Sequence, residues 1–321
     1  MLKKAIAVVT SGGDSPGMNA AARAVVRTAI YEGVEVYGIH NGYSGMVHDD
    51  IEKLTTRSVS DLIQRGGTFL GTARSKSFMT PEGRRTAFEN LRKHGIEGLV
   101  IIGGDGSLTG GSLLSKETGM PIVGLPGTID NDVWGMDYTI GCDTACNTIV
   151  DAINKLRDTA SAHRRIILVE VMGRHSGWLA MMSGIAGGAE YILVPEVAYD
   201  LEEISCDLKE MYEAGKRYSI IVVAEGAGSA VEIGKIIREK TEIDTRVSVL
   251  GHIQRGGSPT VEDRIKASML GEKAALAIIS GVNDVIFSFN EGQVVSVNLF
   301  EAVNNTKTLD PELVRLSRVL A

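Results

Sequence analysis

A chain of 321 residues allows two modest domains or one large one, and 44% hydrophobic against 23% charged residues is the balance of a globular protein with a buried core. A formal net charge of −7 argues against general nucleic-acid binding, and 5% aromatic residues leave little surface for stacking on bases or sugars. The three cysteines, Cys142, Cys146 and Cys206, form no Cys-x-x-Cys pair, which argues against a zinc site or a disulfide framework and fits a reducing, cytoplasmic setting.

The apolar part of the first ten residues is too short for a signal peptide, and no apolar run approaches the ~20 residues of a membrane span, so no membrane partner is expected. From there, β-branched apolar runs alternate with segments of helical period. Strands are expected at 5–10, 34–39, 99–103, 122–125, 166–172, 191–194, 219–224, 247–251 and 285–289. Runs apolar on both faces read as parallel strands covered by helices, and the alternation reads as α/β architecture. Cys142, Ala145, Cys146, Ile149, Val150, Ile153 and Leu156 form the stripe of one helix face. Helices over 84–94 and 261–280 end at Gly95 and Gly281, residues suited to a left-handed helix stop. Residues 290–293, Asn-Glu-Gly-Gln, read as the turn of a late hairpin. The strands up to Leu125 are expected in one sheet, and those from Ile166 to Ala224 in a second.

Six glycine-bearing polar segments follow expected strands: 11–19, 103–107, 126–132, 172–177, 225–228 and 252–257. Ligands of open parallel sheets bind at the carboxyl ends of strands, so these segments suggest the walls of a cleft. In 11–19, glycines let backbone N–H groups approach a phosphate at the start of a helix. The Gly-Lys-Ser/Thr of a Walker loop is missing. In 103–107, Gly-Gly-Asp-Gly-Ser, the backbone is open to a polyphosphate and Asp105 suits Mg²⁺, a hard cation that takes oxygen ligands. In 126–132, Pro-Gly-Thr-Ile-Asp-Asn-Asp, two carboxylates and a hydroxyl meet at a strand end. One acid suits proton removal from a substrate hydroxyl if phosphoryl transfer is loose. Taken singly, each loop also reads as a structural turn, and Asp105 as a helix cap. Arg165, Arg174, Arg246 and Arg255 fall at or beside expected strand ends and Arg74 lies in a glycine-bearing loop, a set that suggests phosphate recognition by guanidinium forks. His252 reads as a hydrogen-bond donor, while His163 and His175 read as structural.

The strings SGGDSPGMNAAARAVVR, GGTFLGTAR, GGDGS, PGTIDND, MGR and GHIQRGGSP occur in this order, and together they resemble the bacterial ATP-dependent 6-phosphofructokinase family. The resemblance runs from about Lys3 to beyond Gly281 and weakens after it. It implies two similar doubly wound α/β domains with mainly parallel sheets and an active site in the cleft between them. The ATP-binding domain would take 1–139 with 252–302, and the fructose 6-phosphate-binding domain 140–251 with 303–321.

By the same resemblance, Asp130 is the base for the 1-hydroxyl of fructose 6-phosphate. Thr128 and Asp132 support substrate and metal, and Ile129 lines the substrate. Gly13, Arg74, Ser75, Gly104, Asp105, Gly106 and Ser107 hold ATP, with Asp105 on Mg²⁺. Arg174 stabilises charge on the transferring group, Met172 and Gly173 line the sugar, and Glu225 binds its hydroxyls. His252, Ile253, Gln254 and Arg255 bind the sugar phosphate, joined by Arg165 and Arg246 of a neighbouring copy in a homotetramer. A second site for activating ADP or inhibiting phosphoenolpyruvate matches Arg23, Arg27, Arg157, Gly188, Glu190, Lys216, Arg217 and Tyr218, although the 214–218 segment departs from the better-known bacterial pattern. Pyrophosphate-using relatives carry bulkier residues in place of Gly106 and Gly127, so glycine at both implies ATP as donor. A sugar-phosphate sensor and a dinucleotide oxidoreductase are the competing readings. The acids at 105, 130 and 132 argue against the first. The lack of a G-x-G-x-x-G after the first strand argues against the second.

Overall fold

The β-branched runs form strands with little or no exposure on either face: every residue of Ala5–Ser11 and of Ser219–Ala224 is buried. The computed structural model describes residues 5–321, so the expectation drawn from Met1–Lys4 lies outside the described residues. In chain order the elements begin β1 (Ala5–Ser11), α1 (Met18–Tyr31), β2 (Val36–Ile39), α2 (Gly42–His48), β3 (Ile51–Lys53) and α3 (Pro81–Lys93). They continue with β4 (Ile96–Gly103), α4 (Asp105–Thr118), β5 (Ile122–Pro126) and α5 (Cys142–His163). Then come β6 (Ile166–Val171), α6 (Trp178–Gly187), β7 (Tyr191–Leu193), α7 (Leu201–Glu213), β8 (Ser219–Ala224), α8 (Ala230–Thr241) and β9 (Thr245–Val249). The chain closes with α9 (Val261–Ile279), β10 (Val285–Asn290), β11 (Gln293–Asn298), α10 (Leu299–Asn304) and α11 (Pro311–Leu320).

Two compact units divide the chain, and each is built from two separated segments. Residues up to Thr144 and Arg255–Lys307 make the first; Ala145–Gln254 and Thr308–Ala321 make the second. Among the described residues the first unit holds a seven-stranded sheet in the order β11-β10-β5-β4-β1-β2-β3, with only the outer strands β3 and β11 antiparallel to their neighbours. The second holds β7-β8-β6-β9, parallel throughout. The architecture is therefore α/β with mainly parallel sheets.

Three expectations change. The second sheet does not stop at Ala224: β9 pairs with β6 in parallel (Ile166↔Thr245). The first sheet does not stop at β5: β10 pairs with it in parallel (Val285↔Val123) and brings β11 along as the other arm of the hairpin turned at Asn290–Gln293. The three-residue β3 was not expected, because Ile51-Glu52-Lys53 is a short, half-exposed edge with no apolar run to mark it. In the first unit's core Val9, Ile39, Leu99, Ile101, Leu108 and Ile122 pack together, and in the second Leu168, Ile204, Ile221, Val223 and Ile237 do so. Each such side chain stabilises by roughly 1.5–3 kcal/mol. Side-chain caps start several helices: Thr80 accepts from Gly83 N, Ser229 from Glu232 N and Thr260 from Asp263 N. Among the described residues no helix is long and apolar enough to cross a membrane.

Candidate active site

In the first unit three glycine-bearing loops stand side by side, because the strands before them are neighbours in register: Ser11 of β1 pairs with Gly103 of β4, and Gly103 with Pro126 of β5. The chain runs from β1 to β2 on one side and returns to β4 on the other, so the carboxyl ends of β1 and β4 form a topological switch point, where open parallel sheets bind ligands. The segment after β3 is tied to the same edge. Thr72 Oγ1 donates to Gly12 O at 2.7 Å, and the Thr10 and Thr68 hydroxyls share a hydrogen bond of 2.6 Å. These bonds bring the loop of Arg74 and Ser75 to the loop of Gly13. Arg255 lies over that loop as well: its Nη1 donates to Asp14 O at 3.4 Å, and a Cβ on Gly13 would fall 1.8 Å from that same nitrogen. Glycine at 13 is the condition for the guanidinium to lie there.

The two key acids occupy different settings. Asp105 is the first residue of α4, with Gly104 in the cap position, so it is not the helix cap that one reading made it. The residue is exposed, yet partial desolvation pushes its carboxyl above the ordinary range. Among the described residues no group of three or more His, Cys, Asp or Glu side chains could hold a metal ion. A lone carboxylate beside an open glycine loop fits Mg²⁺, which usually takes one or two carboxylates with phosphate oxygens and water. Asp130 lies in a turn where Asn131 adopts φ 49°, a left-handed conformation that Asn tolerates. Asn131 is buried, and its Nδ2 donates to Asp137 O at 2.9 Å. Thr128 Oγ1 accepts from Asp130 N at 3.2 Å, while the Thr128 carbonyl accepts from Thr139 Oγ1 at 2.6 Å. Ile129 is 1% exposed, so its side chain faces the core.

Gly106 and Gly127 differ in kind. A Cβ at 106 would meet nothing within 4 Å, whereas one at 127 would stand 2.7 Å from Met18 Cε and 3.1 Å from Ile102 Cγ2. Packing against Met18 and Ile102 already disfavours a side chain at 127, so the donor argument rests chiefly on Gly106.

In the second unit, Met172, Gly173 and Arg174 follow β6, and Glu225 follows the adjacent β8. Arg174 and Glu225 are exposed, as is His252, in the segment after β9; Met172 is buried. Gln254 is fully buried, with Oε1 accepting from Met172 N at 3.1 Å and Nε2 donating to Gly251 O at 2.9 Å. Its side chain therefore braces the Met172 loop. Arg165 and Arg246 stand elsewhere: both are at the amino ends of their strands, about 20 Å along the sheet from Arg174. They share Asp244, at 3.3 Å and 3.2 Å, and Arg165 Nε is buried without a hydrogen-bond partner.

The effector candidates fall in both units. Arg23 and Arg27 are on α1, four residues apart, and burial followed by the charge of Arg27 lowers the Arg23 pKa. In the second unit Arg157 donates to the carbonyls of Gly187 and Gly188, and Lys216 pairs with the buried Glu190 at 3.0 Å. Arg217 lies over the Tyr212 ring. Tyr218 is half-buried just before β8.

Sequence reasoning passed over Asn19 and Tyr43. Asn19, buried in α1, donates to Arg65 O and Gly66 O and accepts from Phe69 N, which fixes the loop leading to Arg74. Tyr43 donates to Ser107 O and stacks on Phe78 at 3.9 Å. Only the polar Asn in an otherwise small and apolar helix face signalled the first, and nothing local signalled the second.

A glycine-lined switch point, an acid at a helix start and a second acid in an adjacent strand-end turn define an α/β phosphotransferase of the kinase class. A family model described as phosphofructokinase matches residues 5–278. The chain belongs to the phosphofructokinase family. It is 57% identical over 318 residues to an ATP-dependent 6-phosphofructokinase of Bacillus licheniformis, covering 99% of each chain, and 56% identical over the same length to one of Bacillus velezensis. Among solved structures, phosphofructokinase from Saccharomyces cerevisiae superposes with a TM-score of 0.89 at 38% identity; the match takes in 99% of this chain but about half (48%) of the yeast chain. A pyrophosphate-dependent phosphofructokinase from Marinobacter aquaeolei reaches 0.87 at 23% identity over 96% of this chain and 86% of its own, a likeness of fold alone.

Proposed function

We propose that the protein transfers the γ-phosphoryl group of ATP to the 1-hydroxyl of fructose 6-phosphate, giving fructose 1,6-bisphosphate and ADP, the committed step of glycolysis in the cytoplasm. The observation that carries this reading is the register of β4 and β5, which sets the Asp105 loop beside the Asp130 turn. The named activity of the Bacillus relatives supports it.

In this reading the substrate oxygen attacks the γ-phosphorus as the bond to the ADP oxygen breaks. Asp130 accepts the hydroxyl proton, and its low basicity suffices because the transfer is loose and proton loss comes late. Thr128 and Asp132 hold the turn and the substrate beside it. The glycine backbone at 104–107, with Gly13, Arg74 and Ser75, binds the donor phosphates, while Ile129 serves through its backbone, its side chain being in the core. Bound Mg²⁺, held by Asp105 together with phosphate oxygens, would neutralise charge on the transferring group. Arg174 adds positive charge to that group, and Met172, Gly173, Glu225, His252, Ile253 and Arg255 receive the sugar phosphate, whereas Gln254, expected among them, is fully buried and acts by bracing the Met172 loop.

The segments 1–139 with 252–302 would bind ATP, and 140–251 with 303–321 fructose 6-phosphate. Arg165 and Arg246 would serve a neighbouring copy in a homotetramer, which their place at the far end of the sheet favours. ADP would activate and phosphoenolpyruvate inhibit through Arg23, Arg27, Arg157, Gly188, Glu190, Lys216, Arg217 and Tyr218. The test is release of ADP from Mg-ATP in the presence of fructose 6-phosphate, with pyrophosphate as the rival donor. Turnover with ATP is expected; equal or faster turnover with pyrophosphate would overturn the donor assignment, and no product with either would overturn the reading.

A further inference from the structure

Asp263 opens α9 in a Thr-x-x-Asp sequence, where an acid ordinarily reaches back to the cap residue. Here it does not. Thr260 caps the helix by accepting from Asp263 N, but the Thr260 N–H donates instead to Thr144 Oγ1 at 3.0 Å. The Asp263 carboxylate, 0% exposed, turns to a different segment. Oδ1 accepts from the Tyr138 hydroxyl and from Gly141 N at 2.9 Å; Oδ2 accepts from Thr144 N at 2.8 Å and Thr144 Oγ1 at 2.5 Å.

The segment so held, 137–144, touches both loops that the proposed chemistry needs. Against the acid turn, Ile140 N donates to Pro126 O at 2.8 Å, Thr139 Oγ1 to Thr128 O at 2.6 Å, and Asp137 O accepts from Asn131 Nδ2 at 2.9 Å. Against the donor loop, a Cβ on Gly141 would stand 2.6 Å from Ser15 Cβ and 3.0 Å from Pro16 O. A buried carboxylate with four donors thus fixes a brace, and the brace fixes the two loops.

We infer that Asp263 is a positioning residue for phosphoryl transfer, acting through the 137–144 brace and the Thr139–Thr128 bond on the place of Asp130. This rests on the kinase reading given above. Burial pushes the Asp263 carboxyl above its ordinary range despite its donors, so a neutral side chain of like size would be easier to bury there. Asparagine cannot take the role, since its amide N–H₂ would face donors on one side whichever way it turned. A displacement near 1 Å at a reacting group lowers rate by about 10²-fold.

The experiment compares wild type, Asp263→Asn, Thr139→Val and the double variant. Steady-state kinetics are read together with hydrogen exchange of the 126–132 amides, using 219–224 of the second unit as the internal control. The expected result is a fall in kcat of about 10- to 100-fold in Asp263→Asn, with KM for both substrates within about threefold, and faster exchange over 126–132 with the control unchanged. The double variant should fall no further than the worse single, because both changes cut one chain of contacts. Undiminished kcat with unchanged exchange, or losses that multiply in the double variant, would overturn the inference. If Asp263→Asn does not fold, Thr144→Val, which deletes one of the four donors, replaces it with the same expectations at smaller size. A wild type without phosphoryl transfer would sink the proposed function alone; the exchange comparison would still decide the role of Asp263.

Discussion

Asp105 and Asp130 follow neighbouring parallel strands of one sheet, yet the chain holds them by opposite means. Asp105 takes its place from the first turn of a helix and reaches into water. The Asp130 turn is bound from below, with its own threonine, a left-handed Asn131 and the 137–144 segment fixing the backbone. In the function proposed above, Asp105 meets Mg²⁺ beside phosphate oxygens and water, which leaves its carboxylate open to solvent. Asp130 would take a proton from a bound alcohol, which requires its carboxylate within hydrogen-bond reach of that oxygen.

The largest test of that contrast replaces each acid. Asp130→Ala should lower kcat by roughly 10²–10⁴-fold with little change in KM. Asp105→Asn should instead raise the Mg²⁺ needed for half-maximal rate, by about tenfold or more. Because the Asp105 pKa is raised on folding, its ionisation weakens the folded state as pH rises through that pKa. Thermal melts at neutral pH should therefore show Asp105→Asn no less stable than wild type. Full activity in Asp130→Ala, or an unaltered Mg²⁺ requirement in Asp105→Asn, would erase the distinction.

A smaller effect separates the two glycines of these loops. Alanine at 127 must push against Met18 and Ile102, at a cost of about 1–3 kcal/mol, which corresponds to roughly 3–10 °C in Tm. Alanine at 106 meets no atom within 4 Å, so Tm should hold while KM for ATP rises. Calorimetry and donor titration on the pair check this. Unimpaired ATP binding in Gly106→Ala would mean the open space at 106 is not where the donor lies.

The smallest effect concerns the far end of α4, the helix that carries Asp105. There Arg84, nearly buried, grips Glu117 through two bonds of 2.5 Å and 2.7 Å. The hydrogen bond from Arg84, then its charge, holds the Glu117 carboxyl below its usual range despite some desolvation. A depressed folded-state pKa contributes stability above the unfolded value, and that stability is lost as pH falls through the folded value. Glu117→Gln should therefore lower Tm modestly at neutral pH, with the gap to wild type closing in strong acid. A gap that stays constant down the acid limb would remove the ion pair from the account.

Much of this architecture was legible because parallel strands write themselves as runs apolar on both faces, as in β1 and β8. The loops after them were legible because glycine and acid follow directly on such runs. Pairings set by distant segments were not: nothing within 285–298 says that β10 lies against β5. The second unit shows the same limit at the level of the site. Arg165 and Arg174 flank one strand, and sequence grouped them; the strand's length sends them to opposite ends. Asp263 was hidden for another reason. Its spacing from Thr260 is that of an ordinary helix cap, and only the fold shows the carboxylate turned to Gly141 and Thr144.

The separation of Arg165 and Arg246 from Arg174 along one sheet bears on how the enzyme behaves when it is scarce. In the shared site proposed above, a protomer that holds these two arginines about 20 Å from its own Arg174 lends them to another copy. Acceptor affinity in that assembly depends on concentration as well as on structure. In the homotetramer proposed above, diluting the protein would weaken the grip on the sugar phosphate before any residue in the donor loop had moved.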